Sequence, residues 1–219
     1  MASIVLLQND PLVAEALRKA IAAEVGLRVA AVAGSLTQVR PHLAHGGVDL
    51  LVADLRIGTE RLTELLRERH ESGQAGHPQV LGVAMSADDP NLMQALRHGA
   101  DGYFIHGSPM KALMRVIRQV LAGESPMSAP IARRLQAHFR LADRPAGDSE
   151  RETTPSAPSA PGLTDTERQM LDRLSRGYLQ HEIARDMQTS EHSVGLGSRS
   201  LYRKLQLDLR ASAQLWQAA

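Results

Sequence analysis

From residue 3 to residue 139, short apolar runs alternate with longer stretches in which apolar side chains recur every three or four positions. A run of about five apolar residues suits a strand buried on both faces, and the 3.6-residue period suits a helix lying over it. The alternation is therefore that of a parallel sheet covered on both sides by helices, and five such units can be counted. "SIVLL" is the first strand, after which Asp10 and Pro11 offer an N-cap and an N1 proline for a helix reaching about Glu24. "LRVAAVAG" is the second strand, and the helix across "SLTQVRPHLAHG" carries Pro41 near its middle, which should kink or shorten it. "VDLLVADL" is a buried third strand, followed by "ERLTELLRERH" with Leu62, Leu65 and Leu66 on one face. "QVLGVAMS" and "PNLMQALRHG" form the fourth unit; "GYFIH" and "SPMKALMRVIRQVLAG" form the fifth, closing at Gly123 as a C′ glycine should.

Periodicity then stops. Residues 140–161, "RLADRPAGDSERETTPSAPSAP", are rich in Pro, Ser, Ala and charge, cannot bury enough surface to order themselves, and read as a linker between domains 1–139 and 162–219. Beyond it, "LTDTERQMLDRLSRG" begins with Thr164 and Glu167 at capping-box spacing and ends at Gly177, which marks out a helix. "LQHEIARDM" and "SEHSVGLGSRSLYRKL" follow as two helices joined by the short turn "QTS", with Ile183, Ala184, Met187, Val194, Leu201 and Leu205 inward. Two helices with so tight a connection spell a helix-turn-helix, and "RASAQLWQAA" reads as a short last helix.

Composition narrows the picture only a little. The 219 residues suffice for two small cores, and the net charge of +1 with a pI near 8.2 gives no sign of a polybasic tail. Without Cys there is neither a disulfide framework nor a thiolate metal site, which suits a reducing cytoplasm. "MASIVLL" lacks the basic and long apolar regions of a signal peptide, and no run approaches the ~20 apolar residues of a membrane span, so the expectation is a soluble cytoplasmic protein with no membrane partner. His42 and His45, three apart without an adjacent carboxylate, read as a solvated helix face, and no metal site is expected. No nucleophile motif and no phosphate loop after a strand is present, so the chain is not read as an enzyme.

"DLLVADLRIG", "ALRHGADGYFIHGSP" and "LTDTERQMLDRLSRGYLQHEIARDM", in that order, resemble response regulators of the NarL/FixJ type, which join an N-terminal receiver to a C-terminal LuxR-type helix-turn-helix. The resemblance implies a doubly wound, five-stranded parallel α/β receiver followed by an all-α DNA-binding domain, with the receiver site at the carboxyl ends of the strands. It also implies that Asp54 is the phosphoacceptor-like residue. The acidic pair that would hold Mg²⁺ is replaced by Gln8 and Asn9, the hydroxyl after the fourth strand by Ala84, and the Lys after the fifth by His106, while Tyr103 matches the aromatic switch position.

Those replacements have a physical cost. Mg²⁺ takes hard oxygen ligands, usually including carboxylates, and two neutral amides leave Asp54 nearly alone. Phosphoryl transfer depends on charge neutralisation, so losing the acids and the Lys together removes its main stabilisers. The expectation is a receiver phosphorylated poorly or not at all, with Mg²⁺ binding weak or absent and no cofactor. Asp10 could serve as a metal ligand, but an N-cap before Pro11 is the favoured reading. His106 could pair with Asp54 in mild acid, or simply be tolerated once the Lys role lapsed. Asp54 itself could persist to hold backbone donors in its loop or as a residual phosphoacceptor.

In the C-terminal half, Thr189, Ser190, His192 and Ser193 are expected at the entry of the reading helix, with Arg199, Arg203 and Lys204 reaching DNA phosphates. The family resembled here usually carries Lys and His where this chain has Gly195 and Gly197. Each interior glycine costs about 0.8–1 kcal/mol of helix preference. Either the pair allows a backbone to approach DNA or a partner closely, or selection for ordinary base reading has relaxed. The expected partners are double-stranded DNA and a second copy of the chain, dimerising through the last helix around Leu215 and Trp216 or through the receiver's closing face. The overall expectation is an atypical, phosphorylation-independent transcriptional regulator. Two alternatives stay open: a module that antagonises a regulatory protein partner, and a ligand sensor built in the altered receiver pocket.

Overall fold

The computed structural model describes residues 1–57, 59–71, 77–142 and 162–217. Its contacts divide the chain into two compact units, one up to Pro126 and one from Met127 onward. In the first, strands β1 (Ala2–Leu7), β2 (Leu27–Ala33), β3 (Leu50–Asp54), β4 (Gln79–Ala84) and β5 (Gly102–Ile105) form one parallel sheet in the order β2-β1-β3-β4-β5. Helices α1 (Pro11–Ala22), α2 (Leu36–Ala44), α3 (Thr59–Glu71), α4 (Pro90–His98) and α5 (Met110–Leu121) are the crossovers. Ile4, Leu6, Leu50, Val52, Leu81 and Val83 are buried against Leu17 and Ile21 of α1 and Leu113, Ile117 and Val120 of α5.

Local signals explain most of the boundaries. Asp10 caps α1, its Oδ1 accepting from the N–H groups of Leu12 and Val13, with Pro11 at the first turn. Asp89 and Pro90 repeat that arrangement at α4. Pro41 does not break α2; the helix is short and ends three residues later, so the proline truncates it.

The strand order reverses between β1 and β3, and Leu7 pairs with Ala53 across that junction. The residues immediately following, Gln8 and Asp54, therefore meet at the carboxyl end of the sheet, where ligand sites of doubly wound folds lie.

Among its described residues the second unit contains four helices: α6 (Ala129–Ala142), α7 (Asp165–Arg176), α8 (Gln180–Asp186) and α9 (Glu191–Gln217). Helix α7 has the expected capping box at Thr164 and Glu167, and Gly177 closes it in the left-handed conformation at φ 93°. Ile183, Ala184, Val194, Leu201 and Leu205 are buried as expected, and Met187 is half-buried.

Three features differ from the sequence reading. Helix α6 was not foreseen; it buries Ile131, Ala132, Leu135 and Phe139 and packs on α7, so it groups with the C-terminal helices and not with residues 1–126. Its last turn takes in residues 140–142, which had been assigned to the linker; the rest of the linker, 143–161, lies outside the described residues. The two helices expected from Glu191 onward are one 27-residue helix, because "QLDLRASAQ" contains neither Pro nor Gly to end it. Leu215 and Trp216 sit in its last turns, where side chains lie outside the described residues.

Candidate functional site

Asp54, the final residue of β3, is 2 % exposed, and both of its oxygens are engaged. Arg56, two residues on, grips the carboxylate: its Nη2 donates to Oδ2 at 2.6 Å, its Nε to Oδ1 at 3.0 Å and Oδ2 at 3.2 Å, and its backbone N–H to Oδ1 at 2.9 Å. Gln8 donates its Nε2 amide to Oδ2 at 3.0 Å, while its own Oε1 accepts the Asp10 N–H at 2.9 Å. Both ends of the buried Gln8 amide are thus committed, and the group turned to Asp54 is a donor. Burial pushes the Asp54 carboxyl up, but the Arg56 side-chain and backbone donors, the Gln8 amide and the Arg56 charge outweigh it and hold the pKa below its ordinary value. The Arg56 guanidinium is raised, chiefly by its hydrogen bond to Asp54, with Asp10 adding a smaller attraction.

The other expected pocket residues are less involved. Asn9 is exposed, and Asp10 spends its oxygen on the α1 cap. Ala84 is buried, offers no hydroxyl, and accepts the His106 N–H at its carbonyl, 2.8 Å away. The His106 side chain is exposed and Tyr103 is buried. The Mg²⁺ that the resemblance implies does not fit this donor set: Gln8 and Asn9 stand in place of the acid pair, Gln8 presents N–H, Asp10 is committed to the α1 cap, and a cation already faces the Asp54 carboxylate. Among the described residues no group of three or more His, Asp or Glu could hold a metal ion.

In the second unit, Ser190 immediately precedes α9; its Oγ accepts the Ser193 N–H at 3.0 Å and shares a 2.8 Å hydroxyl bond with Ser193. Thr189, Ser190, His192 and Ser193 are exposed, as is Arg203, and Arg199 is half-buried. Lys204 departs from expectation. Its Nζ donates to Glu167 Oε2 at 2.6 Å and to the Gly162 carbonyl at 2.8 Å, an ion pair with side chains 14 % and 11 % exposed. It is bound to the start of α7 and is not presented to a phosphate.

The two glycines also find a place. Gly195 is buried, and a Cβ on Gly197 would stand 2.4 Å from Met170 Cε of α7. Gly197 thus lies where α9 approaches α7 and the flexible thioether of Met170 fills the space a side chain would take. The close approach made at Gly197 is to α7 of the same chain.

Two residues were missed. Arg56 stands in the quoted "DLRIG", and the sign of its charge beside Asp54 was the available signal. Leu196 is 43 % exposed although apolar; with His192, Arg199 and Arg203 it falls at positions i, i+4, i+7 and i+11, one stripe of the helix.

Comparison with known proteins agrees with this architecture. Residues 161–216 match the family profile described as bacterial regulatory proteins, luxR family. The nitrate/nitrite response regulator protein NarL of Escherichia coli is 26% identical over 215 residues, 98% of this chain and 94% of NarL. The DNA-binding transcriptional activator DevR/DosR of Mycobacterium tuberculosis is 26% identical over 216 residues, 99% of this chain and 94% of its own. Among solved structures, the RcsB response regulator of Salmonella typhimurium superposes with a TM-score of 0.53 at 16% identity, covering 98% of this chain and 99% of RcsB. A second RcsB structure, with TM-score 0.51 and 16% identity over 96% and 98% of the two chains, holds two RcsB dimers on two parallel DNAs.

Proposed function

We propose that this chain, similar along its length to the DNA-binding response regulators NarL and DevR/DosR, regulates transcription without Mg²⁺-dependent phosphorylation of Asp54. The observation that carries the reading is the donor set around Asp54: Arg56 and Gln8 already supply the charge and hydrogen bonds that a metal and a modified carboxylate would otherwise need. The protein binds double-stranded DNA as a homodimer, acts in the cytoplasm and is not a catalyst. The DNA-bound dimers of RcsB support the assembly. Among the described residues no helix is long and apolar enough to cross a membrane.

Helix α9 enters the major groove with its N-terminal turns. Leu196 meets base edges, where an apolar side chain reads the thymine methyl group, and Arg203 reaches a phosphate. The near balance of basic and acidic residues in the second unit gives modest, salt-sensitive non-specific affinity.

Selection of bound duplexes from a random pool by the unmodified chain tests this reading. A recurrent motif is expected. Leu196→Ala should relax it at one position at a cost of about 1–3 kcal/mol, while Arg203→Ala should weaken all sequences alike and lower the salt slope by about one. Recovery of no motif by the folded, unmodified chain would contradict the proposal.

A further inference from the structure

We infer that Arg56 is the resident counter-ion of Asp54, a tethered cation that excludes a divalent metal and holds the loops after β1 and β3 in one arrangement. The inference rests on the phosphorylation-independent reading above and deepens it by naming the residue that makes the pocket self-sufficient.

Three observations carry it. First, the guanidinium meets the carboxylate through both Nε and Nη2, and the Arg56 backbone N–H adds a third donor from the same residue. Two-point binding fixes direction as well as charge, which a Lys at this place could not do. Second, the carboxylate is 2 % exposed whereas the Arg56 side chain is 47 % exposed, so the cation covers the solvent side of the acid. A metal approaching from water meets a positive charge first. Third, the bonds form a chain between loops: Asp10 N–H to Gln8, Gln8 to Asp54, and Arg56 to Asp54, with Ile57 N–H returning to the Asp54 carbonyl at 3.1 Å. Glutamine suits this chain because its amide offers one acceptor and one donor; a carboxylate at residue 8 would set two negative charges against each other and invite the metal back.

With its counter-ion built in, Asp54 is charge-paired and hydrogen-bonded without any ligand. Asp54 is then a structural acid that joins β1 to β3, and its oxygens are not presented as nucleophiles.

The experiment uses the full chain as wild type, Arg56→Met, Arg56→Lys, Asp54→Asn and the double variant Arg56→Met/Asp54→Asn. Mn²⁺ binding is followed by electron paramagnetic resonance and stability by thermal unfolding with and without Mg²⁺. Wild type should leave the free Mn²⁺ signal unchanged and its Tm indifferent to Mg²⁺. Arg56→Met should raise Mn²⁺ affinity about tenfold or more and lower Tm by about 5–10 °C, part of which Mg²⁺ restores. Arg56→Lys should still repel Mn²⁺ while recovering only part of the Tm, since it keeps charge and loses the fork. In the Asp54→Asn background the same Arg56→Met change should move Tm by no more than ~2 °C, because the partner charge is gone. Wild-type Mn²⁺ binding tighter than about 1 mM that Asp54→Asn abolishes would overturn the inference. So would equal Tm losses from Arg56→Met in both backgrounds. Neither result touches the selection of a DNA motif, so the two readings fail separately.

Discussion

Glu167 shows how much one side chain can carry. Its carboxylate accepts the Thr164 N–H at 2.7 Å and the Thr164 hydroxyl at 2.9 Å at the start of α7, then the Ser200 hydroxyl at 2.8 Å and Lys204 at 2.6 Å from α9. The capping spacing was legible in the sequence; the link to α9 was not, because spacing within one helix says nothing about which helix crosses it. Burial pushes the Glu167 carboxyl up, but Lys204, Thr164 and Ser200 outweigh it and hold its pKa at about 2, against 4.5 ordinarily. A depressed carboxyl contributes stability that is complete above its unfolded pKa and is lost as pH falls through the folded one. The second unit should therefore lose on the order of 3 kcal/mol between about pH 4.5 and pH 2. Glu167→Gln should remove most of that acid dependence, as seen by circular dichroism along a pH series; an unaltered acid transition would show that other groups govern it. Gly197 lends itself to a double-mutant cycle. Alone, Gly197→Ala should gain little, because the roughly 1 kcal/mol of helix preference is offset by displacing Met170. In a Met170→Ala background it should stabilise by about 1 kcal/mol in urea titrations; equal effects in both backgrounds would deny the packing role.

Among elements, the five strands and their crossovers were legible because each buried strand is a continuous apolar run and most helices carry their own caps, as at Asp10 and Asp89. Helix α6 was not, for two reasons. It stands between the closing helix of the sheet domain and a charged stretch, and its apolar stripe of Ile131, Leu135 and Phe139 shares space with several arginines and Pro130. Its partner, α7, is far along the chain, where periodicity gives no guidance. Side-chain bonds reinforce the packing: Arg133 donates to the Ser175 carbonyl at 2.9 Å, and His138 Nε2 lies 2.7 Å from Asp208 Oδ2 of α9. Phe139→Ala should cost about 3–5 kcal/mol, confined to the second unit. Hydrogen exchange of the variant should rise in α7 and leave β1 and β3 as in wild type; comparable acceleration of the sheet would contradict the division of the chain after Pro126. The orientation of charged side chains was equally hidden. Lys204 and Arg203 are neighbours in sequence, yet one is held against Glu167 and the other faces solvent.

At the scale of the whole molecule, a receiver-like sheet domain and a LuxR-type helical domain lie on one chain. The fold and the helix-turn-helix were legible because long motifs stand in a fixed order. The pocket was readable only as a set of losses at Gln8, Asn9, Ala84 and His106. What stands at the site instead, Arg56 on Asp54, needed the three-dimensional structure, since spacing in the sequence does not show whether the Arg56 side chain turns back to Asp54 or out to solvent. In the proposed reading, DNA binding does not wait on modification of Asp54. Chromatin immunoprecipitation at native protein level, with an Asp54→Asn strain in parallel, tests it most directly. Sharp peaks shared by the two strains are expected. Peaks present in wild type and lost in the Asp54→Asn strain would contradict it by restoring the carboxylate as an input, and the absence of peaks from both would contradict the DNA-binding reading itself.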